Sequence, residues 1–242
     1  NMGFVDVDPL FYRTDSEKVI EKTLDHSLKT LEQLKIKKKE ARVIIPDSFT
    51  YNRIIEMPQL NEIELLSAIR YQADQFIPMS LDEVNLDIEV INEDVNNRKT
   101  LVFLSTAPKT IIAKVKNLLE YADLFPESIE PETSAIARFL SEIYKNSSAE
   151  SSAQFSQSTG FVLINLNLSS TSVYFFDQGL GLMTYSHNFS SGYSTFLRQI
   201  QVNLNVDPRK AEELLRSFGT SQNSSYNLSA LLAPSLKAFL TE

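Results

Sequence analysis

The chain has 242 residues, 43% of them hydrophobic and 22% charged, with a net charge of −8 and no cysteine. That length holds one large or two modest domains, each able to bury a core. The acidic balance argues against sequence-independent nucleic-acid binding, which needs a basic face, and the missing cysteines remove disulfides and thiolate metal sites.

Residues 3–12 are mixed and broken by Pro9, which predicts a strand remnant or a loop. Thr14 and Glu17 have capping-box spacing, and Val19, Ile20, Leu24, Leu28 and Leu31 form a helical stripe to about Leu34. Lys35, Lys37, Lys38 and Lys39 then read as a solvated helix end that complements the dipole. Arg42 to Pro46 predicts a short buried strand, Asp47-Ser48 a turn, and Tyr51 to Glu56 a second strand. Asn61 is the expected N-cap of the next helix, with Glu64 reaching back to it and Leu60 and Leu65 spaced as a hydrophobic staple. Leu65, Ile69, Ala73 and Phe76 share a face, and Ile77-Pro78 stops the helix. Val84, Leu86, Ile88 and Val90 alternate with Glu83, Asn85, Asp87 and Glu89, the pattern of a half-buried strand whose acids solvate its outer face. After a turn at 94–99, Leu101 to Thr106 returns as its hairpin partner.

Pro108 suits a first helical turn, followed by the apolar stripe Ile111, Ile112, Val115, Leu118 and Leu119. A short run near Ser128-Ile129 precedes a helix bearing Ala135, Ile136, Phe139 and Leu140. Residues 146–159 are polar and Ser-rich, too poor in apolar surface to offset the entropy of ordering, and mark the expected linker. Beyond it come three predicted strands at 161–168, 171–176 and 182–186, then a helix at 194–204. Asp207-Pro208 has the form of an N-cap with proline at the first position, opening a helix to Phe218. A last helix carries Leu231, Leu232, Leu236 and Leu240, with Pro234 expected in its first turn.

Little in the chain suits catalysis. His26 and His187 are the two histidines and lie far apart in sequence, so a transition-metal site is not expected. There is no G-x-S-x-G elbow, and the six glycines form neither nucleotide-binding pattern, G-x-x-x-x-G-K-[ST] or G-x-G-x-x-G. No stretch approaches the ~18 apolar residues that cross a bilayer, and the opening residues lack a signal-peptide pattern.

The stretch Met57 to Ile91 resembles the small inserted subdomain of the PilM family of type IV pilus assembly proteins. The matching positions are Glu64, Leu65, Ala68, Ile69, Arg70, Ala73, Gln75, Ile77 and Pro78, then Leu81, Glu83, Val84, Leu86 and Asp87. The resemblance implies an α/β (α+β) fold of actin-like, ribonuclease H-like lobes with an inserted strand-helix-strand-strand (SHS2-like) subdomain, the fold extending past both ends of this chain. Residues 1–145 would belong to the first lobe, with the insertion at about 42–106, residues 146–159 would be a linker or loop, and residues 160–242 would open the second lobe. Members of this superfamily hold ATP between two phosphate hairpins, of which the second falls here at Asn165 to Thr171. Asn165 and Asn167 replace the acid and the glycine, Thr171 is retained, and a Gly-Gly pair is reduced to Ser191-Gly192. Neither ATP nor Mg²⁺ is therefore expected.

The resemblance further implies a non-catalytic scaffold, cytoplasmic and peripheral at the inner membrane, that touches the membrane only indirectly. It would hold the N-terminal cytoplasmic tail of a PilN-type membrane protein in a groove between the first lobe and the insertion. Tyr51, Arg53, Leu66, Ile69, Arg70, Phe76 and Ile77 are the expected contacts. The motor ATPase or platform protein of a pilus, secretion or competence machine is a further expected partner. Two alternatives stay open: an actin-like ATPase completed by segments outside this chain, and a polymerising cell-division protein of the FtsA kind.

Overall fold

The computed structural model describes residues 2–5, 7, 8, 10–71, 77–146, 160–221 and 226–242. The chain divides into two compact units, Asn1–Glu150 and Ser151–Glu242. The expected linker at 146–159 falls, beyond Asn146, outside the described residues.

The first unit runs α1 (Glu17–Gln33), β1 (Glu40–Ile45), a 3-10 turn (Asp47–Phe49), β2 (Tyr51–Pro58), α2 (Glu62–Tyr71), β3 (Val84–Asp94), β4 (Lys99–Pro108), α3 (Lys109–Tyr121), β5 (Phe125–Pro131) and α4 (Glu132–Asn146). Its strands form two separate sheets: β1 lies parallel to β5, and β2, β4 and β3 form an antiparallel sheet in that order. The strand at 42–46, expected within the insertion, therefore belongs elsewhere. A parallel partner needs a long crossover, and everything from the 3-10 turn through α3 supplies it. The strand-helix-strand-strand unit is β2, α2, β3 and β4.

That unit is organised by α2. Its N-terminus closes as the sequence predicts: the Glu64 amide donates to Asn61 Oδ1 at 2.9 Å, and the Asn61 amide donates to Glu64 Oε2 at 3.2 Å. Leu65 and Ile69 then pack with Ile55, Met57, Val102 and Leu104 on one sheet face, and Leu60, ahead of the cap, joins the same cluster. Ala73 and Phe76 lie outside the described residues, and Ile77-Pro78, the predicted stop, is not helical. On β3 the alternation holds from Val84 to Ile88 and then breaks. A register shift between Val90 and Asn92 sets an extra residue opposite β4, and Val90, at this end of the sheet, is 44% exposed.

The two sheets are joined at Asp47, which is 1% exposed. Its Oδ1 accepts from the Thr133 amide and from Asn52 Nδ2, both at 3.0 Å, and its Oδ2 accepts from the Thr133 hydroxyl at 2.8 Å. Asn52 Oδ1 accepts in turn from the Ser105 hydroxyl at 3.0 Å. One carboxylate thus fastens the exit of β1, the start of β2, the end of β4 and the first turn of α4. Farther along the parallel pair, Arg42 makes a two-pronged bond to Glu127, and Arg138 does the same to Glu130. That bond from Arg138 holds the Glu130 carboxyl below its usual range against a smaller opposing effect of burial.

The start of α1 differs from expectation. Ser16 is the N-cap and makes no side-chain cap bond, while the Thr14 hydroxyl accepts from the Ser16 amide two residues on. The Thr14-Glu17 box does not form because Thr14 is occupied in this tighter local turn. The helix is held instead from α3, where Lys114 donates to the Thr14 carbonyl at 2.6 Å and pairs with Asp15.

The second unit contains β6 (Gly160–Leu166), β7 (Thr171–Asp177), β8 (Leu182–Phe189), α5 (Tyr193–Leu204), α6 (Pro208–Phe218) and α7 (Leu228–Thr241). The strands form an antiparallel meander. The helices share a core of Phe196, Ile200, Ala211, Leu214, Leu228 and Leu232. Asp207 caps α6 as predicted, its carboxylate accepting from the Lys210 amide at 3.0 Å. Pro234 lies inside α7, not in its first turn. The helix tolerates it because Pro234 and Ala230, whose carbonyl loses its usual donor, both lie on the exposed side.

Two outcomes follow. Replacing Asp47 by Ala strands the buried amide and hydroxyl of Thr133, while Asn52 keeps its bond to Thr50, and lowers the stability of the first unit by about 3 kcal/mol in urea unfolding, against about 1 kcal/mol for Asn61→Ala. Because folding depresses the Glu130 pKa, its pair with Arg138 stabilises fully above the ordinary glutamate value of 4.5 and loses that stabilisation as pH falls through the folded value. The stability gap between the parent protein and Glu130→Gln, measured at pH 7, therefore closes at lower pH.

Candidate functional site

A cleft of about 160 Å³ opens within the first unit, between the two sheets that Asp47 joins. Antiparallel register decides which face of the insertion looks into it. Phe103, Ser105 and Ala107 of β4 pair with Glu89, Asp87 and Asn85 of β3, and all six line the cleft. The opposite wall carries Ile45 of β1, Ile112 of α3, and Ile129, Glu130 and Pro131 of β5. The helix α2 covers the other face of the sheet, so the cleft is floored by the side that the insertion's own core leaves open. Leu86 also lines it, between Asn85 and Asp87. Successive strand residues point to opposite faces, so consecutive lining residues mean that the β3 backbone itself borders the opening. β3 is an edge strand, and no strand among the described residues pairs with its outer side.

The cleft is chemically two-toned. Phe103 on the insertion's side and Ile112 and Ile129 opposite give apolar lining, while Asp87 and Glu89 on the one side and Glu130 on the other are carboxylates. Glu130 is bound by Arg138 and by the Ser134 hydroxyl. Asp87 and Glu89 are exposed, and neither makes a hydrogen bond or close ion pair among the described residues.

Among the described residues, none of the contacts expected from sequence lines this cleft. Tyr51 and Arg53 pair with Thr106 and Leu104, which puts them on the sheet face that α2 covers, and the Arg53 guanidinium reaches the Tyr51 hydroxyl at 3.5 Å. Ile69 is 0% and Ile77 3% exposed, and both pack in the subdomain core. Leu66 and Arg70 are exposed on the outside of α2, and Phe76 lies outside the described residues. Asp87 and Glu89 were legible in sequence as the polar side of a strand. What no local pattern carried is that β5 stands opposite them.

The second unit holds, between β6 and β7, the turn that the family resemblance reads as an altered phosphate hairpin. Its turn is closed by the Asn167 amide donating to the Ser170 carbonyl at 2.9 Å. The first amides of α5 then clasp it from outside: Tyr193 donates to the Asn167 carbonyl at 2.9 Å, and Ser194 to the Leu168 carbonyl at 2.8 Å. Thr171 is fully buried and donates its hydroxyl to the Ser191 carbonyl at 2.7 Å. A Cβ on Gly192 would stand 2.5 Å from the Asn167 carbonyl oxygen and 2.6 Å from the Ser170 nitrogen, so glycine is required for this approach. Asn165 pairs with Ser172 within the strands. The helix amides that would ordinarily offer positive charge to a phosphate are thus spent on carbonyls of the hairpin. Among the described residues no group of three His, Asp or Glu side chains is placed to hold a metal ion.

With this geometry in hand, the relatives are informative. A chain of the PilM-PilN type IV pilus biogenesis complex matches with a TM-score of 0.66 and 18% identity, over 90% of this chain and 62% of that one. The protein thus spans less than two thirds of that solved chain. The cytoplasmic domain of EpsL, an inner membrane component of the type II secretion system of Vibrio cholerae, gives a TM-score of 0.43 at 9% identity, over 75% and 60% of the two chains. A Bacteroides thetaiotaomicron protein with an actin-like ATPase fold gives 0.38 at 11% identity, over 82% and 61%. No curated protein matches the sequence. The fold class is the mixed α/β, actin-like one expected from sequence. The family model for type IV pilus assembly protein PilM matches residues 13–239, and the chain belongs to that family.

Proposed function

We propose that this protein is a non-catalytic scaffold of a type IV pilus assembly machine, and that it works by holding the cytoplasmic tail of a PilN-type membrane protein in the cleft between its two first-unit sheets. The observation that carries the reading is the cleft itself, which sets an open strand edge beside apolar lining. An extended peptide can there add a strand to β3 while its alternate side chains drop toward Phe103 and Ile129. Membership of the PilM family and likeness to a chain of a PilM-PilN complex support the choice of partner. Among the described residues no helix is long and apolar enough to cross a membrane, which suits a protein brought to the inner membrane by the tail it grips. A motor or platform protein of the machine would then be engaged from surfaces away from the cleft.

The clasped hairpin supports a scaffold without nucleotide turnover. Anchoring a phosphate at Asn165 to Thr171 would require α5 to release the Asn167 and Leu168 carbonyls and would set ligand against a hairpin with no glycine.

Two measurements test this reading. Asn85 is exposed on an edge strand, where Trp is well tolerated. Asn85→Trp should fold normally, fill the cleft mouth and weaken binding of the PilN-type tail about tenfold or more; unchanged affinity removes the cleft from the proposal. Titration with Mg-ATP should give no saturable heat, and a stoichiometric, magnesium-dependent isotherm would restore the ATPase alternative.

A further inference from the structure

The cleft carries more carboxylates than its own residues bond, although Arg138, bonded to Glu130, also lies close enough to Glu89 to feel its charge. Three carboxylates border it, at Asp87, Glu89 and Glu130, and one of them is neutralised by the two-pronged bond from Arg138. The neighbouring Arg42 is likewise engaged, with Glu127. Asp87 and Glu89 therefore face the opening as exposed carboxylates with no bonded cation among the described residues. They stand two residues apart on one side of β3, roughly 7 Å along the strand. That repeat matches alternate side chains of any segment that pairs along the same edge.

Resting on the reading that a tail occupies this cleft, we infer that the occupant is a cationic, strand-forming segment: Lys or Arg side chains at alternate positions set against Asp87 and Glu89, and an apolar residue beside them seated between Phe103 and Ile129. The apolar lining supplies the area that excludes water, and the two acids fix register. A one-residue slip would turn the cations away from the carboxylates and toward the other face. An acidic or neutral segment would leave the two carboxylates crowded and unpaired as the cleft closes over them, at a cost in both affinity and association rate.

The test uses the full chain and a synthetic peptide of the PilN-type tail, followed by fluorescence anisotropy at low and high salt. Asp87→Asn combined with Glu89→Gln keeps shape and removes charge. The double variant should bind about fivefold to tenfold more weakly and lose most of its salt dependence. A peptide with its Lys and Arg changed to Gln should show the same loss on the parent protein. If the double variant keeps parental affinity and salt response while Asn85→Trp still blocks binding, the charge inference is overturned and the cleft stands. If Asn85→Trp has no effect, the cleft and the inference fall together. A tail that binds there without a cationic residue also overturns the inference.

Discussion

Everything in the first unit depends on one buried carboxylate. Asp47 receives hydrogen bonds from the amide and hydroxyl of Thr133 and from Asn52, which in turn holds Ser105. Burying a charge without such donors would be prohibitive. With them, it becomes the peg on which two sheets of unlike type are hung. The insertion is otherwise a self-sufficient object with its own core around Leu65, Ile69, Val102 and Leu104. Its packing on the parallel pair runs through α3, which touches both β4 and β5. The polar joint adds orientation to that packing, because hydrogen bonds carry direction where apolar contact does not.

The cleft is the geometric consequence of that joint. A sheet whose helix covers one face presents the other, and β1 and β5 stand across from it without filling the space. The result combines three things an extended peptide can use: a backbone edge, apolar lining and carboxylates that make no hydrogen bond or close ion pair among the described residues. The second unit has gone the opposite way. Where a nucleotide-binding relative needs an open glycine-bearing turn, its hairpin is stoppered by the start of α5, and its remaining glycine, Gly192, permits tight packing and not ligand approach. The first unit thus leaves a cleft open between its sheets, and the second closes its β6–β7 hairpin with its own backbone.

Much of the fold was legible because its signals are local. Asn61 with Glu64, Asp207 with Pro208, and the alternation from Val84 to Ile88 each act over a few residues, and each appears as read. The misreadings arose where a distant partner decides. The strand at 42–46 looked like part of the insertion because it precedes it, but its partner is β5. Thr14 had the right spacing for a cap and is occupied by Ser16 instead. The site was the least legible part. An apolar stripe such as Ile69 and Ile77 looks the same in sequence whether it faces a core or a partner, and here it faces the core. Asp87 and Glu89 looked like ordinary solvated acids because nothing in their neighbourhood announces Glu130 and Ile129 across the gap.

The parallel pairing of β1 with β5 joins residues as far apart as Arg42 and Glu127, 85 positions along the chain. Closing a loop of that length before anything inside it is ordered is entropically unfavourable, and long-range parallel pairing is slow for that reason. The insertion, whose hairpin and capped helix are local, can collapse first and bring Pro46 and Pro108 toward each other. Folding order then has a spatial sense: the contacts across the opening are the last to form, so the cleft takes shape only once the rest of the unit is built.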